Sequence, residues 1–69
     1  MRDINRLYDF YNKLREIHKK VPDWRFGQFI LNFMSWYYNR YHIDIFYVEE
    51  TEILSAIEEF INEILEDKY

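Results

Sequence analysis

The feature that most constrains this chain is an uncharged stretch in its middle. Charged residues make up 32% of the 69-residue chain, yet none lies between Phe26 and Asn39. Aromatic and aliphatic side chains fill most of this stretch, and its polar residues Gln28, Asn32, Ser35 and Asn39 recur along one narrow helical stripe. A helix that is apolar around most of its circumference is normally buried on several sides. The stretch therefore predicts a buried helix.

Periodicity predicts three helices, over about residues 3–20, 23–40 and 50–67. Asp3 and Asp23 are the expected N-caps of the first two, because a short acidic side chain accepts hydrogen bonds from free first-turn amides. Pro22 separates these helices, since the residue before a proline is disfavoured in the helical region. Residues 43–47 are expected to form a brief strand-like piece or an aromatic plug. The chain is therefore predicted to be all-α, a single helical domain over residues 1–69.

The apolar content predicts self-association. A chain of 69 residues buries too little surface to hide so many large apolar side chains, and two-fold dimers are the commonest solution. Gly27 costs about 1 kcal/mol relative to alanine in a helix, so we expect a backbone or ring to pack closely against it. We predict a homodimer with helix 2 at its centre; the alternative is a docking face for an unidentified protein partner. The expected interface residues are Trp24, Phe26, Gly27, Ile30, Phe33, Trp36, Tyr37, Tyr38, Phe46 and Tyr47.

Charge separates along the chain. Residues 1–42 hold eight Lys or Arg against four acidic residues, whereas residues 43–69 hold one against nine. Opposite halves attract each other within a fold or across a dimer, and we favour this reading over a basic or nucleic-acid partner.

Arg25 follows the expected N-cap by two positions, where its charge opposes the helix dipole. A bidentate salt bridge to the third helix or the Asp44 loop is therefore predicted, with an anion-binding arginine as the alternative. The residues considered for polar binding are Arg25, Arg40, Asp44, Glu49 and Glu50.

Single-stranded nucleic-acid binding is the alternative function. Tyrosine rings would stack on bases while basic residues hold the phosphates, but the acidic third helix and a pI near 5.0 count against it. The groups involved would be Tyr37, Tyr38, Tyr41, Lys19, Lys20, Arg25 and Arg40.

No residue pattern predicts catalysis, a metal site or a cofactor. His18 lies on the apolar stripe of helix 1, which is typical of a histidine at the core edge, and His42 beside Asp44 lacks compact ligand spacing. The chain has no cysteine, which excludes disulfides and thiolate chemistry and suits a reducing compartment. We expect a cytoplasmic, non-catalytic interaction or regulatory module. A membrane span is not expected, because the uncharged stretch falls short of the roughly 20 residues required.

Two short motifs carry a resemblance to a known family. PDWRFGQ at residues 22–28 and DIFYVEE at residues 44–50, followed by an acidic final helix, resemble a family of small uncharacterised bacterial proteins. The family pattern is Pro-Asp-x-Arg-x-Gly-Gln and then Asp-x-Phe-Tyr-x-Glu. The resemblance covers the chain from the end of helix 1 to the end of helix 3. It implies a small helical fold in a bacterial or phage setting, and it assigns no catalytic residue.

Overall fold

Three α-helices and one short 3-10 turn make up the fold. A computed structural model describes residues 2–67, with α1 at Asn5–His18, α2 at Phe26–Tyr41, the 3-10 turn at Ile45–Tyr47 and α3 at Glu50–Asp67. No strand occurs within these residues. The all-α prediction is confirmed. The range of α3 agrees with the predicted residues 50–67. Helix α1 begins two residues later and ends two residues earlier than predicted, and α2 begins three residues later and ends one residue later.

A tight turn delays the start of α2. The amide of Trp24 donates to the carbonyl oxygen of Val21 at 3.1 Å, which closes a turn with Pro22 and Asp23 at its corner, and Pro is favoured at this place in a turn. Asp23 is therefore not the cap of α2, contrary to expectation. Arg25 holds the N-cap position in extended conformation, and its amide donates to the side-chain oxygen of Gln28 at 2.9 Å.

The start of α1 is closer to its prediction than the start of α2. Asp3 Oδ1 accepts a hydrogen bond from the amide of Asn5 at 3.0 Å, although the formal N-cap residue is Ile4. At the other end, His18 Nε2 lies 2.8 Å from the carbonyl oxygen of Trp24, to which it donates. The partly buried His18 therefore ties the end of α1 to the turn before α2, as expected of a histidine at the core edge.

The core is built around α3, which packs against both other helices. Helix α2 contributes Phe29, Phe33 and Tyr37, which follow one another at helical spacing. Helix α3 contributes two pairs of neighbouring residues one turn apart, Ala56 with Ile57 and Phe60 with Ile61. Phe60 of α3 has Trp24, Phe33 and Trp36 around it, with ring centroids 5.4 to 6.1 Å away. The buried residues are Ile17, Val21, Phe29, Phe33, Tyr37, Ala56, Ile57, Phe60 and Ile61.

The shape is elongated, with extents of 44 × 27 × 19 Å. The radius of gyration is 12.5 Å, whereas a compact chain of this length has about 11 Å. Three helices that meet through α3 cannot wrap one another completely. Large apolar side chains of α1 and α2 therefore remain in solvent.

Candidate functional site

Helix α2 has two apolar sides, and only one of them is buried. Phe29, Phe33 and Tyr37 face the core, so the single chain buries one side of α2, and burial of the other side in a subunit interface stays a prediction. A second stripe points outward, and Leu31 and Tyr38 on it are each more than half exposed. We call this stripe the outward α2 face; it consists of Gly27, Ile30, Leu31, Met34 and Tyr38. Phe26, at the start of α2, is also exposed, but its ring faces the end of α1, 6.5 Å from the ring of His18.

An aromatic pair projects from the connection between α2 and α3. His42 ends α2 in the left-handed conformation, with φ at 57°, and the chain then turns back along α2. Asp44 Oδ1 accepts from the amide of Phe46 at 2.9 Å, which fixes the start of the 3-10 turn. Phe46 and Tyr47 are 82% and 79% exposed. These two rings, called here the aromatic knob, are therefore not the aromatic plug considered from the sequence.

A groove lies where α1 ends and α2 begins. Its walls include Tyr11, Leu14 and Phe26, with Arg15 and Lys19 at the rim, and its volume is about 360 Å³. His18 shapes the groove, because its hydrogen bond to Trp24 fixes the turn that joins the two helices. We call this feature the end groove.

The exposed area is large for the mass of the protein. A compact protein of 8.8 kDa exposes about 4,800 Å², whereas this chain exposes 5578 Å². The difference is a consequence of the elongated shape, in which the helices cover one another only in part.

The predicted attraction between the two halves occurs within the chain. Arg2 donates to both carboxylate oxygens of Glu49 at 2.6 Å, and Arg6 lies 3.3 Å from Glu50. This hydrogen bonding holds the pKa of the Glu49 carboxyl below its ordinary 4.5. Glu49 and Glu50, considered for external polar binding, are instead engaged by α1 and its leading segment.

A second ion-pair cluster joins α2 to α3. Arg40 lies 3.0 Å from Glu59 and 2.8 Å from Glu63, with its guanidinium carbon 5.3 Å from the centre of the Trp36 ring. The Tyr41 hydroxyl donates to Glu59 at 2.9 Å, and this hydrogen bond raises the pKa of Tyr41. Arg40 therefore binds its own chain, and Asp44 is likewise committed to its turn.

Arg25 does not form the predicted salt bridge. Within residues 2–67 its guanidinium makes no ion pair, whether with α3 or with the Asp44 loop. The prediction placed Arg25 inside the first turn of α2. Because the helix begins at Phe26, one residue after Arg25, Arg25 precedes the first turn, and its side chain is exposed.

The ten predicted interface residues divide into three groups. Phe33 and Tyr37 are buried in the core, so their assignment to an intermolecular interface is wrong, and Trp24 and Trp36 pack against that core. Gly27, Ile30 and Tyr38 lie on the outward α2 face. The third group is exposed outside this face and consists of Phe26 and the knob residues Phe46 and Tyr47. The sequence prediction missed Leu31 and Met34, although rotation by 100° per residue places both beside Tyr38.

Gly27 has open space where a close contact was expected. A Cβ built on this residue meets no heavy atom within 4 Å. The expected contact is therefore absent within the chain. A bare stretch of helix backbone is left on the outward α2 face.

The geometry also bears on metal binding, a membrane span and nucleic-acid binding. Within residues 2–67 no group of three His, Cys, Asp or Glu residues could hold a metal ion, and no helix is long and apolar enough to cross a bilayer. The nucleic-acid alternative loses two of its groups, because Tyr37 is buried and Arg40 is paired with acidic residues.

No protein-family model, curated protein or solved structure matches this chain. The resemblance of its two motifs to a family of small bacterial proteins stays a prediction.

Proposed function

We propose that this protein is a small, non-catalytic interaction or regulatory module that acts as a cytoplasmic homodimer. The outward α2 face carries the proposal. Contiguous exposed apolar patches of several hundred Å² mark interaction surfaces, and this face runs along α2 from Gly27 to Tyr38, with Tyr38 58% exposed.

The absence of charge on this face favours a second copy as the partner. In a two-fold interface the same patch meets itself, so any charge near the axis faces a like charge, which is costly. No charged residue lies between Phe26 and Asn39. Two outward α2 faces can therefore meet without burying like charges.

A matched pair of charge substitutions tests the proposal. Met34→Glu places a carboxylate on the outward α2 face, and Asn32→Glu places the same group on the exposed polar stripe of the same helix. Burying an unpaired charge in an interface costs several kcal/mol. We therefore expect sedimentation equilibrium to show a monomer for Met34→Glu and a dimer for Asn32→Glu, with equal helix content by circular dichroism.

Two outcomes contradict the proposal. The first is a wild-type protein that remains monomeric at the same concentrations. The second is a Met34→Glu protein that dimerises as well as Asn32→Glu, which would remove the outward α2 face from the interface.

A further inference from the structure

We infer that the aromatic knob of one subunit seats in the end groove of the other, with the two α2 helices antiparallel between these contacts. The inference rests on the proposed homodimer and names the surfaces that meet in it. It commits to a second copy of this chain as the occupant of the groove.

The knob does not fill the groove of its own chain. The knob lies next to Glu49 and Glu50, which bind Arg2 and Arg6 at the start of α1, whereas the groove lies at the end of α1 near His18. Helix α1 rises about 1.5 Å per residue, so the groove walls on this helix begin roughly 8 Å from Arg6, at Tyr11, and continue past His18. Within the single chain neither ring of the knob lines the groove, and both rings stay largely exposed, so the proposed occupant is the knob of a second molecule.

The groove, the outward α2 face and the knob form one continuous strip. Phe26 is both a wall of the groove and the first residue of α2. Further along the helix, Asp44 borders the same surface depression as Leu31, Met34 and Tyr38, and the knob follows directly in the chain. The strip therefore has the groove toward one end and the knob toward the other.

In a two-fold dimer, the knob of one subunit can lie opposite the groove of the other. When two such strips pair in antiparallel orientation, each knob lies opposite the groove of the partner, and the contact occurs twice. The exposed backbone at Gly27, with no atom within 4 Å of a Cβ position, then lies opposite the aromatic C-terminal half of the partner helix. A ring can approach a helix closely at a glycine, where no side chain intervenes.

Size and charge also match. The groove of about 360 Å³ is within the range of sites that bind small molecules, and its walls are mostly apolar, as a buried aromatic ring requires. Arg15 and Lys19 stand at its rim, with Lys19 3.3 Å from Glu16. Asp44 precedes the knob in sequence, and neither it nor Arg15 takes part in an ion pair within residues 2–67. These two opposite charges can therefore face each other when the aromatic knob enters the apolar groove, and such complementarity fixes register.

Cross-linking between two single-cysteine variants tests the inference. The chain has no cysteine, so Tyr47→Cys on the knob and Tyr11→Cys in the groove each introduce one thiol. Both tyrosines are exposed in the single chain, so the substitutions spare its core. The two proteins are mixed in equal amounts and treated with a short bismaleimide, and the mixed product is identified by mass. The matched control replaces Tyr11→Cys with Ser55→Cys, another exposed helical position.

We expect several-fold more mixed product for the Tyr47→Cys and Tyr11→Cys pair than for the control pair. Equal yields from the two pairs, in a sample that sedimentation shows to be dimeric, would overturn the inference and leave the proposed homodimer intact. A wild-type protein that sediments as a monomer would overturn both.

Removing the knob gives an independent readout. In Phe46→Ser with Tyr47→Ser, two largely exposed rings are lost, so the fold of the monomer should be retained. Because truncated aromatic anchors typically cost more than 1 kcal/mol each, the dimer dissociation constant should rise roughly tenfold or more. An unchanged dissociation constant would contradict the inference.

Discussion

Truncating Phe60 to alanine should remove a large part of the stability of this protein. Phe60 is 3% exposed, and its ring packs against the rings of Trp24, Phe33 and Trp36. The residue lies on α3, the helix that α1 and α2 both contact. Its loss therefore weakens the packing of α2 and of the α1–α2 turn against α3 at the same time.

The expected cost is large relative to the total stability. Phe to Ala truncations in cores cost about 3–5 kcal/mol. A natural domain has about 0.05–0.15 kcal/mol of stability per residue, which gives roughly 3.5–10 kcal/mol for 69 residues. With a urea dependence of about 1 kcal/mol per molar for a small domain, the unfolding midpoint should fall by about 3 M or more.

Urea unfolding followed by circular dichroism measures this effect. The control is Phe46→Ala, the same truncation at an 82% exposed position, which should change the stability of the monomer by no more than about 0.5 kcal/mol. Both substitutions are placed in the Met34→Glu background, so that self-association does not contribute to stability. A similar midpoint for the two variants would refute the description of Phe60 as the centre of the core.

Three further predictions concern charge, backbone and nucleic acid. Because Arg2 lowers the pKa of Glu49, the pair adds stability above pH 4.5 that is lost as the pH falls through the lowered pKa; Arg2→Gln should therefore reduce the drop in melting temperature between about pH 5 and pH 3, and an unchanged drop would contradict this role. Gly27→Ala in the Met34→Glu background should raise the free energy of unfolding by about 0.5–1 kcal/mol, since the added methyl meets no atom within 4 Å; a loss of stability in urea would show an unrecognised contact. A labelled single-stranded oligonucleotide should show no salt-sensitive binding to micromolar protein, because Arg40 is held by α3; binding that weakens steeply with salt would restore the nucleic-acid alternative.

Helix existence was predictable because it depends on local pattern, whereas the start of α2 was not. Glu50 and Glu52 in the first turn of α3 are favourable at a helix N-terminus, and the predicted α3 range agrees with the observed one. Asp23 satisfied the same local rule but lies at the corner of a Pro22 turn that closes on Val21. Turn geometry there prevailed over capping propensity.

Which side of α2 is buried depended on how the helices meet. An uncharged helix surface has the same composition whether it lies in a core or at an interface, so Phe33 and Tyr38 could not be separated by residue type. Spacing does separate them, because Phe33 continues the stripe of Phe29 and Tyr38 does not. The ion pairs were less accessible still: Arg2 and Glu49 are 47 positions apart in the chain, and only the tertiary path brings them together.

The most direct test of the central claim is the absolute molar mass of the wild-type protein, measured by light scattering over a concentration series. The homodimer predicts a mass that rises to twice the 8.8 kDa of the chain and remains there at higher concentration. A mass that stays at 8.8 kDa up to the highest soluble concentration would contradict it, and the outward α2 face would then not be a self-association surface.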